Sequence, residues 1–168
     1  MAPVTRTATV SATPRTIWKA CFAPMQWQAW DVDVQAVQDV QGGCVNGGTF
    51  VFVMKDGGGR TSSKAPTTLF NVKEYQTLSY TGAFLGGLVQ FQGDFVLEEP
   101  AVVVEKNTTS STSTSSSDQT TKITYTFQMT GFLGSLVGWM KSDMIVHGVE
   151  KGLENIKQIS ENAGGDES

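Results

Sequence analysis

The chain has 168 residues, of which 39% are hydrophobic and 17% charged, and carries a formal net charge of −4. That length suits one domain burying roughly two-thirds of the surface an extended chain exposes. The acidic balance and the scatter of the twelve basic residues exclude a nucleic-acid footprint, which needs clustered Lys and Arg, and no apolar run nears the roughly 20 residues of a membrane span.

The N-terminal stretch MAPVTRTATVSATP lacks the apolar core of a secretory signal, so a cytoplasmic protein is expected. VTRTATV, residues 4–10, alternates polar and β-branched types and predicts a first strand. Thr13-Pro14 then supplies a capping hydroxyl and a proline at the first helical position. The helix continues through RTIWKACFA, with Trp18 and Phe22 at i,i+4 spacing, and Pro24 ends it. A second short helix, MQWQAW, carries Met25, Trp27 and Trp30.

From Val32 the period changes to two. VDVQAVQDVQ, TFVFVMK, 65–75, 77–83, 88–99 and 121–130 read as strands, divided by glycine-rich turns such as GGCVNGG and DGGGR. Short strands with tight turns indicate an antiparallel sheet, and Gly93 inside a strand pattern predicts a bulge or bend. Residues 106–121, KNTTSSTSTSSSDQTT, offer almost no apolar side chain to offset ordering entropy, and are expected to form a disordered insertion. It reads as a tolerated low-complexity segment, with a phosphorylated regulatory loop as the sharper alternative. The chain closes with a helix over about 132–161 and a flexible tail, 162–168, which leaves one domain over 1–161. Cys21 and Cys44 have no CxxC or nearby histidine and read as reduced, half-buried thiols, with a disulfide between them or a nucleophilic cysteine as the alternatives. Asn107-Thr108-Thr109 matches a glycosylation sequon but is expected to stay unmodified.

The element order resembles the helix-grip superfamily, which includes START domains, the major birch-pollen allergen and the polyketide cyclase/dehydrase-like (SRPBCC) branch. VSATPRTIWKACFAPMQWQAW is similar to the opening of that last branch, GGTFVF to its third strand, FNVKEYQTLSYTG to a strand pair, and GLENIKQISE to its closing helix. The resemblance implies an α+β fold in which a curved antiparallel sheet of about six to seven strands grips a long C-terminal helix, with two short helices after strand 1. It also implies a hydrophobic cavity between sheet and helix, and supplies no catalytic residues. A lipocalin-like barrel, the competing arrangement, would lack the two early helices.

Alternation assigns the concave face. Val89, Phe91, Phe95 and Leu97 share one side of their strand; Ile123, Tyr125, Phe127 and Met129 share one side of the last; Phe50, Phe52 and Met54 align, as do Leu78 and Tyr80. On the long helix, at about 100° per residue, Leu133, Leu136, Val137, Met140, Met144 and His147 form one stripe. Val149, Leu153 and Ile156 form another, turned away from the first. A bend or unwinding near Gly148, or a helix passing from lid to sheet, would reconcile them, with the first half at the cavity mouth. Trp18 reads as core, whereas Trp27 and Trp30 serve packing or ligand contact.

Asp143 and His147, the only histidine, stand at i,i+4 and can interact. They read as a base pair for aldol-type cyclisation or dehydration, as a polar contact to ligand, or as an exposed structural pair. Three functions stay open. The leading one is a binding protein that holds a lipid, polyketide or pigment-like molecule among Trp27, Trp30, Phe50, Phe52, Met54, Tyr80, Phe91, Phe95, Tyr125, Phe127, Leu136, Met140, Met144 and His147. The second is a cyclase/dehydratase using His147 and a cavity tyrosine, Tyr80 or Tyr125, as acid and base, with Asp143 as a further candidate. The third is a ligand-free module that contacts a protein partner, as a chaperone-activating branch of the superfamily does. No cofactor and no metal site are expected.

Overall fold

The computed structural model describes residues 2–55, 63–99, 119–134, 136 and 140–165. The DGGGR turn, the sequon, Trp139 and nearly all of the Ser/Thr-rich insertion lie outside these residues, as does the end of the tail. Seven strands form one antiparallel sheet: β1 Val4–Val10, β2 Val34–Gln41, β3 Thr49–Met54, β4 Lys64–Lys73, β5 Thr77–Phe84, β6 Val89–Glu98 and β7 Thr121–Thr130. Their spatial order is β1-β7-β6-β5-β4-β3-β2. The first strand therefore closes on the last, with Val4 opposite Phe127 and Val10 opposite Thr121. With the C-terminal helix against the sheet, this is the helix-grip fold.

Between β1 and β2 the chain makes two short helices. Helix α1, Pro14–Ile17, starts as its sequence dictates: Thr13 Oγ1 accepts the Thr16 N–H at 3.1 Å, with Pro14 in the first turn. It widens into a π turn over Trp18–Phe22. A 3₁₀ turn, Pro24–Gln26, leads into α2, Trp27–Trp30. The two indoles reach back, with Trp27 Nε1 donating to the Phe22 carbonyl (3.2 Å) and Trp30 Nε1 to the Cys21 carbonyl (2.8 Å). Both tryptophans thus satisfy the carbonyls left free where the first helix ends.

The sheet bends at irregularities away from Gly93. Register shifts occur between Val34 and Ala36, between Gln38 and Gln41, and between Phe70 and Lys73. Asp39 and Asn71 take positive φ at the latter two. Strand β6 keeps continuous register on both sides across Gly93, so the bulge expected there does not exist. Glycine is required for another reason. Tyr80 pairs with Gly93, and a Cβ at Gly93 would collide with the Tyr80 ring.

The C-terminal helix, α3, runs unbroken over Ser142–Gly165. The redirection expected near Gly148 is absent, and the interruption falls at Lys141, a turn residue that precedes α3. Val149, Leu153 and Ile156 are buried against the sheet, while Leu136, Met140, Met144 and His147 are exposed. Met140 and His147 therefore face outward, and Met144 stands exposed at an edge, because this stripe precedes or flanks the anchored face rather than continuing it. Gly152 faces the Trp30 ring, which a Cβ there would meet at 3.6 Å, and Asn155 Nδ2 donates to the Trp30 carbonyl at 2.9 Å. Cys21, expected to be half-buried, is fully buried beside Ser160 of α3, and burial pushes its thiol up to about 11. Cys44 is half-buried and free, also raised to about 11 by burial.

Candidate functional site

A cavity of about 250 Å³ opens between the far half of the sheet and the start of α3. The sheet contributes Met54 of β3, Phe84 of β5, Phe91 of β6, and Tyr125, Phe127 and Met129 of β7. Strand β7 exposes these three as its period requires, Tyr125 buried and the next two half-buried, so the cavity widens toward the strand's end. The helix contributes Ile145, Gly148 and Val149, with Lys141 and Met144 at the rim. Trp30, Asp31 and Asp33 come from the end of α2 and the turn that follows, and Lys55 from the end of β3. The result is an apolar chamber with one charged end.

The charged end is built by a tight turn. Asp31 Oδ1 accepts the Asp33 N–H at 3.0 Å, and the Asp33 carbonyl accepts the Lys55 N–H at 2.8 Å. Asp31 is recessed in the wall, and burial pushes its carboxyl up to about 6, against the opposing pull of the Asp33 N–H. Asp33 is more exposed. Burial raises its carboxyl too, while Lys55, His147 and Lys141 pull the other way. The Asp33 carboxylate lies against Gly148, where a Cβ would stand 2.9 Å from Oδ2. Glycine in mid-helix gives that carboxylate room at the mouth.

At the chamber's inner wall, Tyr125 Oη lies 2.6 Å from Tyr80 Oη behind it. They sit on β5 and β7, with β6 between them, and the missing side chain at Gly93 lets the hydroxyls meet across it. Tyr80 is buried outside the cavity lining, and its hydroxyl has no other partner among the described residues. If Tyr125 donated to Tyr80, the Tyr80 proton would be stranded in the core. The arrangement that satisfies both has Tyr80 donating to Tyr125, which leaves the Tyr125 O–H directed into the cavity. Burial, with the Asp31 charge next, holds the Tyr125 phenol well above its ordinary range. It remains a hydrogen-bond donor throughout the neutral range.

Of the residues expected to touch a ligand, the structure brings Trp30, Met54, Phe91, Tyr125, Phe127 and Met144 to the cavity. Trp27, Phe50, Phe52, Tyr80 and Phe95 lie behind it in a packed aromatic cluster. Trp27 meets Tyr80 edge-on at 4.8 Å, and Phe95 stacks on Tyr125 at 4.1 Å. Leu136 and Met140 are exposed and outside the lining. Asp143 and His147 are also exposed and outside it, with no hydrogen bond between them among the described residues. Sequence reasoning passed over Asp31, Asp33, Lys55 and Lys141. The available signal was W-x-x-W-D-x-D, carboxylates placed directly after an aromatic helix; the strand pattern begun at Val32 absorbed Asp33 and left Asp31 unassigned.

Comparison with known proteins gives a consistent result. A family model described as "Polyketide cyclase / dehydrase and lipid transport" matches residues 1–161. No curated protein matches the chain by sequence. Among solved structures, XoxI from Bacillus cereus is similar at 12% identity, with 94% of each chain covered and a TM-score of 0.61. A protein from Deinococcus radiodurans aligns at 6% identity over 96% of this chain and 98% of its own, with a TM-score of 0.63. StfQ, a di-domain ARO/CYC protein from the steffimycin biosynthetic pathway, aligns at 12% identity and a TM-score of 0.65, over 94% of this chain and 45% of StfQ. At these identities the likeness establishes the fold.

Proposed function

The chain belongs to the polyketide cyclase/dehydrase and lipid transport family, and on that footing we propose that it binds one small apolar molecule with a polar end between the sheet and α3. The observation that carries this reading is the cavity itself, an aromatic and thioether-lined chamber with Asp31 and Tyr125 as its recessed polar groups. A mostly apolar lining with a few placed polar groups is what small-molecule sites generally have. Its volume sets the size class. A cavity of roughly 150 Å³ takes up one benzene, so about 250 Å³ suits a two-ring compound or a short acyl chain and is too small for a two-chain phospholipid. Burial of apolar surface supplies the affinity, and Asp31 and Tyr125 orient the polar end.

The test is native mass spectrometry of the protein purified from its own host, beside a Met129→Trp variant that fills the chamber from β7. The expected result is a co-purifying apolar molecule that the variant loses while keeping its fold. An unliganded mass for the wild type, together with no response to a fluorescent apolar probe, overturns the reading.

A further inference from the structure

We infer that Asp31 and Tyr125 form an acid–base pair that enolises a carbonyl compound of about two rings held in the cavity. The inference rests on the binding reading and adds a reaction to it. Both groups border the same chamber of about 250 Å³, whose other walls near them, Trp30, Phe91 and Phe127, are apolar. The Tyr125 hydroxyl already accepts from Tyr80 at 2.6 Å, so its own proton is the one free to donate inward. A hydroxyl that accepts one hydrogen bond while donating another is polarised into a stronger donor. The Asp31 carboxylate accepts the Asp33 N–H on Oδ1 and draws on the Val34 N–H as well, two of its roughly four acceptor sites, which leaves acceptor capacity for a ligand.

The chemistry balances without a further reagent. The Asp31 carboxylate takes a proton from the carbon next to the carbonyl. The C–H electron pair becomes the carbon–carbon double bond, and the carbonyl π pair moves onto oxygen. The Tyr125 O–H holds that oxygen by a hydrogen bond while negative charge collects there. The proton returns from Asp31 to the same carbon, or to a conjugated one, and the carboxylate is restored. A carboxylate base with a phenol donor in an apolar chamber is an established way to enolise a ketone. Burial raises Asp31 to about 6, which makes it a stronger base than an ordinary aspartate yet leaves it ionised at neutral pH. The charged groups around it are Asp33, Lys55 and Lys141, which border the chamber, and His147 outside it.

The probe is 2-tetralone, a two-ring ketone, incubated with the full chain in D₂O. Proton NMR follows loss of its α-hydrogens, and ligand-observed saturation transfer measures binding separately. The wild type should bind the probe and exchange its α-hydrogens at least about a thousandfold faster than buffer. Asp31→Asn, which keeps the shape of the side chain, should bind as well and lose about 100-fold in exchange. Tyr125→Phe should lose about 10- to 100-fold, and His147→Ala should match the wild type. Binding without accelerated exchange overturns the enolisation and leaves the binding reading standing. Unchanged exchange in a folded Asp31→Asn variant overturns it equally. Absence of binding to the wild type overturns both.

Discussion

The hydroxyls of Tyr80 and Tyr125 lie 2.6 Å apart across an intervening strand, and of the two only Tyr125 borders the cavity. The pair is therefore asymmetric, with Tyr80 the donor and Tyr125 the group presented to a ligand. Tyr125→Phe strands a hydroxyl in the core and should destabilise by about 1–3 kcal/mol, whereas Tyr80→Phe leaves Tyr125 access to water and should cost about 1 kcal/mol. The double variant should lose less than the two losses added, as denaturant unfolding would measure. Additive losses would contradict the pairing. As a positioning residue, Tyr80 should influence exchange of a bound ketone through kcat and leave KM nearly unchanged when replaced by Phe.

Asp31 makes stability depend on pH in a direction unusual for an aspartate. Its carboxyl is raised to about 6 in the folded protein, above the unfolded value near 4. Folding thus favours the protonated form, and this contribution is complete below about pH 4 and lost as pH rises through 6. Asp31→Asn should accordingly be more stable than the wild type at pH 8, by about 1–2 kcal/mol. That advantage should vanish at pH 4. Urea titrations at the two pH values check this, and a variant less stable at pH 8 would contradict it. A carboxylate kept at a cost in stability fits a group retained for function.

The two tryptophans of α2 should separate stability from binding. Each caps the first helix through its indole N–H, so Trp27→Phe and Trp30→Phe should each destabilise by about 1–3 kcal/mol. Trp30 alone borders the cavity, and its replacement alone should weaken binding of an apolar probe. Thermal unfolding and probe titration on the same samples distinguish the two effects.

The two buried-side glycines of α3 should respond differently to alanine. At Gly152 a Cβ meets the Trp30 ring at an ordinary 3.6 Å, so Gly152→Ala should stabilise by about 0.5–1 kcal/mol through helix propensity. At Gly148 it meets the Asp33 carboxylate at 2.9 Å, which must swing aside. Gly148→Ala should therefore gain less, and it should alter the cavity mouth enough to change ligand dissociation. Equal gains measured by chemical unfolding would show that Asp33 does not rest on this position.

The strands and their inward faces were legible because period-two alternation is local. Strands β1 and β7 begin and end where the sequence places them, and Phe91, Tyr125 and Phe127 point inward as expected. Where the helix parts from the sheet was not legible, since that depends on the tilt of α3 and on the turn at Lys141. The periodicity joined Met140, Met144 and His147 into a stripe but carried no information on what would lie opposite it. Phe50, Phe52 and Phe95 share the concave face yet pack beneath Trp27, because a face says nothing about what covers it. The Tyr80–Tyr125 contact depends on an absent side chain at Gly93. Read along one strand, that glycine resembles a bend rather than a passage.

Titration of the protein with a graded series of one-, two- and four-ring aromatic compounds, followed by NMR, tests the central claim most directly. The cavity predicts saturable one-to-one binding that is strongest for two rings, perturbs Trp30 and Met129, and is lost in Met129→Trp. Binding indifferent to ring number, or unaffected by filling the chamber, would contradict it.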